Sequence, residues 1–206
     1  VDWEIERHDW AAPARMPETM RSHYAGVPGA IRALAQAPDR TAANRLLYRI
    51  DNVVVIRGNP QPGAAQACAC LVSALISATP AGRTVILELL SQIGGGAVGP
   101  AAKLLGLYAD IRAEVVHGFP LYAEYLETGS PADRLHCIGL LRICAAIDPT
   151  VIPRVRYLYT RVAALGDDYR KATDANLALL VPTKRAAPPS GTAQMKRRPQ
   201  RSATGL

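Results

Sequence analysis

The feature that most restricts this chain is a break that recurs along it: a small polar residue followed by, or closely beside, proline. It occurs at Ala37-Pro38-Asp39, Thr79-Pro80, Ser130-Pro131 and Asp148-Pro149. A Thr, Ser or Asp side chain can accept a hydrogen bond from an exposed amide in the first turn of a helix. Proline at the first helical position loses only an N–H that would have no partner there anyway. A chain punctuated in this way starts helix after helix, and strands have little room between the marks.

The runs between the breaks carry helical rather than strand periodicity. In 80–93, Val85, Ile86, Leu89, Leu90 and Ile93 follow the i, i+3, i+4, i+7, i+8 spacing of one helix face. In 131–146, Leu135, Ile138, Leu141, Ile143 and Ala145 recur at mixed spacings of three and four. Helices are expected near 28–37, 39–57, 62–78, 80–93, 100–117, 119–128, 131–146, 149–165 and 168–180. Gly94-Gly95-Gly96 is expected to stop the fourth of these. Val53-Val54-Val55-Ile56 is a β-branched run that a strand would favour. It is assigned to the helix because Leu46, Ile50 and Val54 continue the period and no partner strand is evident. Pro153, inside the helix that Pro149 opens, requires a kink there or a later start.

Composition agrees with an all-α fold. Hydrophobic residues are 49% of the 206, yet aromatics are only 5% and Phe119 is the sole Phe. The core is therefore built mainly of Ala, Leu, Val and Ile, and Ala and Leu are strong helix formers. The heavy use of Arg, Ala, Gly and Pro points to a GC-rich bacterial genome. Residues 1–27 read as an N-terminal arm or irregular cap, 28–181 as the helical domain, and 182–206 as a basic Pro/Ser-rich tail expected to lack packed structure. The net charge is +7, but the six Lys and Arg between Lys184 and Leu206 meet no acid; subtracting them leaves +1. A nearly neutral body disfavours nucleic acid as the partner. The opening VDWEIERHDW lacks the apolar stretch of a signal peptide, and 64–78 is too short to span a bilayer. A cytoplasmic chain without membrane association is expected.

Helix pairs of this length, with Asp-Arg near the start of one helix of the pair, resemble HEAT repeats. The matching residues are Asp39-Arg40, Arg83, Asp133-Arg134 and Asp168-x-Arg170. Arg40, Arg83, Arg134 and Arg170 are separated by steps of 43, 51 and 36 residues, around the roughly 40-residue period of such arrays. LLYRIDNVVVIRGNPQPGAAQACACLVSAL is similar to a segment of bacterial HEAT-like proteins in which a polar turn carries Gln-Gly; Arg57-Gly58 stands there in this chain. Over roughly 28–180 the resemblance implies an α-α superhelix, a solenoid of stacked antiparallel helix pairs.

No set of residues defines a reaction. Cys68 and Cys70 lie on different faces of a helix, Cys137 and Cys144 sit among apolar residues, and His8, His23, His117 and His136 are scattered, so no metal or cofactor is expected. Gly94–Gly99 lacks the preceding strand and the Lys-Ser/Thr of a phosphate loop. The polar groups chosen as a partner- or ligand-binding set are Arg45, Arg49 and Asn52, which share a face at i, i+4, i+7, with Asp51 and Arg57 flanking them. Tyr122, Glu124 and Tyr125 form a second group, and His117 is a further candidate. Two functions stay open. One is a non-catalytic module that binds another protein in a hetero-oligomer, as an adaptor, immunity protein or accessory subunit. The other is a lyase or cyclase subunit of bacterial secondary metabolism, with Arg49, Arg57 or His117 holding an anion between helix pairs.

Overall fold

The computed structural model describes residues 1–11, 16, 18–99 and 108–180; the tail and the start of the helix expected at 100–117 lie outside these. The described chain is all-α, with one two-residue hairpin. In order it runs α1 (Asp2–Glu6), α2 (Glu18–Ala25), α3 (Val27–Ala35), α4 (Arg40–Val54), β1 (Val55–Ile56), β2 (Asn59–Pro60), α5 (Ala64–Ala74), α6 (Pro80–Val98), α7 (Tyr108–His117), α8 (Phe119–Thr128), α9 (Pro131–Ile147), a 3-10 turn (Pro149–Val151), α10 (Ile152–Ala163) and α11 (Asp167–Leu180).

The recurring breaks are helix starts. Asp39 caps α4 by accepting from the Ala42 amide at 2.8 Å, and Thr79 caps α6 by accepting from Gly82 at 3.1 Å. Ser130 and Asp133 form a reciprocal capping box at the head of α9, with contacts of 3.2 and 3.0 Å. Asp148 caps the 3-10 turn through the Thr150 amide. The helix after it starts at Ile152, which puts Pro153 in the first turn, where it breaks no hydrogen bond.

Three features differ from the sequence expectation. Val55 and Ile56 leave the helix and pair with Pro60 and Asn59. The partner strand is local, three residues on, and Gln61 N extends the pairing to Val54 O at 2.9 Å. Arg57 and Gly58, at φ 52° and 75°, supply the two positive-φ positions that a tight two-residue hairpin turn needs. Secondly, the glycine run does not stop α6, which continues to Val98. A Cβ on Gly96 would lie 2.3 Å from Gly58 O and 2.5 Å from Pro60, so the glycine forms the seat of the hairpin. Close packing outweighs the roughly 1 kcal/mol of helix propensity that a glycine gives up. Thirdly, the stretch read as an arm contains α1 and α2. Ile5 and Met16 are buried in the core, Trp10 Nε1 donates to Ile5 O at 2.9 Å, and the Trp10 ring meets Tyr24 at 5.5 Å.

Helix neighbours follow a simple order. α4 packs on α6, α6 on α9 and α9 on α11; behind them α3 packs on α5, α5 on α7, and α8 on α10. One continuous core lies between these two rows and is filled by Ala, Leu, Ile, Val and Cys.

Candidate functional site

Along the front row, an arginine from each helix reaches the next one. Arg40 Nη2 donates to Glu88 Oε2 at 3.2 Å, linking α4 to α6. Arg83 on α6 reaches Asp133 on α9 at 3.0 Å, and Arg134 on α9 stands 6.0 Å from the Tyr169 ring on α11. The middle link is buried. Asp133 is fully excluded from solvent and also accepts from Thr84 Oγ1 at 2.6 Å and from the Ser130 amide. Burial alone would raise its pKa, but the hydrogen bonds from Thr84 and Ser130 and the Arg83 charge outweigh that and hold it low. Arg83 also stands 4.9 Å over Tyr125, whose hydroxyl donates to Leu75 O at 2.6 Å. This network ties α5, α6, α8 and α9 together.

The residues singled out in the sequence fall into four places. Arg49 and Asn52 line an open groove of about 370 Å³ between α2 and α4, with Tyr48, His23, Met20 and Ser22. The lining contains no carboxylate. Tyr48 is 64% exposed, and Asn52 Nδ2 donates to the Tyr48 backbone carbonyl at 2.8 Å, which ties the amide to its own helix. The Arg49 guanidinium reaches over Gly26, where a Cβ would stand 3.9 Å from Nη2. Arg45 is exposed one turn earlier on the same face. Asp51 is half-buried towards α6, its pKa raised by burial and by Glu88. Arg57 stands apart, exposed in the hairpin turn.

The second group does not form a surface. Tyr122 is fully buried, so it contacts the core and not a partner; it belongs with Phe119, Ala123 and Leu126 on the inward stripe of α8. That i, i+3, i+4, i+7 stripe is a sequence signal that would have assigned it. Tyr125 is engaged as described, and Glu124 alone of the three is exposed. His117 is exposed at the end of α7 and lines a separate groove of about 400 Å³ with Trp3, Arg7, Ile76, Glu114 and Leu121, among others. Arg49, Arg57 and His117 therefore occupy three different surroundings. Tyr48 was missed although it lies at i−4 from Asn52; His23 was missed because only the packing of α2 on α4 brings it there.

Cys68, Cys70, Cys137 and Cys144 are all buried thiols, and burial pushes each pKa up, for Cys70 and Cys144 to about 12. Such thiols are poor nucleophiles. Burial lowers the pKa of His136, with Glu88 opposing. Among the described residues, no group of three or more His, Cys, Asp or Glu side chains is placed to hold a metal ion, and no helix is long and apolar enough to cross a membrane. The chain matches no protein-family model, no curated protein and no solved structure.

Proposed function

We propose that the chain is a HEAT-like helical-repeat scaffold that binds another protein through the groove between α2 and α4. The single observation that carries this reading is the character of that groove. It is open, lacks carboxylates, and combines an exposed tyrosine with an arginine, a histidine and an amide held in place by its own helix. Tyr and Arg are the side chains that most often dominate binding energy at protein interfaces. The repeat reading is supported by the two rows of helices and by the arginines that link each front-row helix to the next. Solenoids of this kind present extended surfaces to partners. In this reading the protein is a bacterial adaptor, immunity protein or accessory subunit that works as part of a hetero-oligomer.

The test is affinity capture of the tagged full-length chain from its host's lysate at low and moderate salt, with Tyr48→Ala and Arg49→Ala alongside. A single stoichiometric protein is expected with the unaltered chain. Each substitution should weaken the complex by about 2 kcal/mol, as for an interface hot spot, with the melting temperature unchanged. A complex held equally by all three proteins, or no retained protein, overturns the reading. In the second case a metabolite screen tests the lyase or cyclase alternative.

A further inference from the structure

The low net charge of the helical body conceals an asymmetry. Residues 1–151 carry thirteen Lys and Arg against fourteen Asp and Glu, a net of −1; residues 152–180 carry five against three, a net of +2, and the tail beyond them adds six bases and no acid. This excess begins on a well-packed helix, before the tail. α10 has Arg154, Arg156 and Arg161 and no acid. Its buried stripe is Val155, Leu158, Tyr159 and Val162, so Arg154, Tyr157 and Arg161 share the outward side at i, i+3, i+7.

Two side chains of this ridge are held by contacts with α8 and one pair by a contact within α10. Arg154 stands 5.1 Å from the Phe119 ring, and Arg161 stands 5.8 Å from the Tyr157 ring, with Nη1 donating to its hydroxyl at 3.3 Å. Arg161 Nε also meets Glu127 at 3.2 Å. Tyr157 is 60% exposed and Leu165, at the end of the ridge, 58%. Alongside runs a groove of about 120 Å³ between α8 and α10, lined by Leu126, Glu127, Leu158, Arg161, Val162 and Leu165. That is room for one aliphatic side chain.

We propose that this ridge and groove bind an acidic, aliphatic segment of a protein partner, as an interface separate from the groove between α2 and α4. A carboxylate-bearing helix can set an aliphatic anchor between Leu158 and Leu165 while its acids meet Arg154 and Arg161. The surface favours polypeptide over nucleic acid. Its floor is aliphatic, and a phosphate backbone offers nothing to fill it. Glu127, which lines the groove and pairs with Arg161, adds a negative charge that opposes a continuous run of phosphates. Guanidinium–carboxylate pairs beside a tyrosine supply orientation as well as attraction.

The test is selection from a random peptide library displayed on phage, using the full-length protein as target. Enriched sequences are expected to combine Asp or Glu with Leu or Ile. In solution, Arg154→Glu and Tyr157→Ala should each weaken the selected peptides at least about tenfold, the equivalent of one good contact. Both positions are on the surface, and a normal melting curve checks that the variants fold. Enrichment of sequences without acids, or no enrichment, overturns the proposal. So does equal binding by both variants, which assigns the attraction to the basic tail. Tighter binding of oligothymidylate, weakened by the same two substitutions, also overturns it in favour of nucleic acid.

Discussion

Tyr24 and Tyr122 are fully buried, and neither hydroxyl finds a partner among the described residues. Each ring instead lies on a glycine: a Cβ on Gly63 would come within 2.2 Å of Tyr24, and one on Gly118 within 2.3 Å of Tyr122. The rings are held by shape, and the hydroxyls are a cost. Tyr122→Phe is therefore expected to leave thermal stability unchanged or raise it by about 1 kcal/mol, whereas Gly118→Ala should lower it by about 1–3 kcal/mol through overpacking. A clear loss of melting temperature in Tyr122→Phe would mean that the hydroxyl is bonded. Asp133 behaves in the opposite way. Its folded-state pKa lies below the ordinary carboxylate value, so it stabilises the fold at neutral pH and that contribution fades as pH falls through the folded pKa. Asp133→Asn should cost about 3 kcal/mol at pH 7, and the gap to the unaltered protein should narrow in melts below about pH 4. A gap independent of pH would show that the charge is irrelevant.

At the scale of elements, the helix starts were legible because a cap acts within four residues, and Thr79, Ser130 and Asp148 carry their own signal. The hairpin and the glycine run were not, since each depends on the other across the fold. Val55 and Ile56 extend because a tight turn follows at once, and Gly96 stays helical because Gly58 and Pro60 press on it. Arg57 is the only non-glycine residue at positive φ among those described. Arg57→Asn, which places Asn-Gly in the turn, should stabilise the protein by several tenths of a kcal/mol up to about 1 kcal/mol. Gly96→Ala should destabilise it despite the better helix propensity of alanine. Thermal melts of the two variants, moving in opposite directions, check both expectations.

For the whole molecule, the all-α class followed from periodicity and from the low aromatic content. The order of helices in each row could not be read from the chain. It is set by contacts such as Arg83 with Asp133, fifty positions apart. The same limit applies to the candidate site. Arg49 and Asn52 share a helix face and were found, while His23 joins them only through the packing of α2 on α4. The core has a further consequence in its four shielded thiols, which lie on α5 and α9, two of the best-packed helices. Sulfur chemistry becomes a clock for opening: a cysteine can be stamped by an alkylating or aromatic disulfide reagent only while its helix is displaced. In native buffer all four should stay unmodified, and under mild denaturant their modification should rise together, in step with the cooperative loss of helix. One thiol running ahead of the others would identify the helix that leaves the fold first.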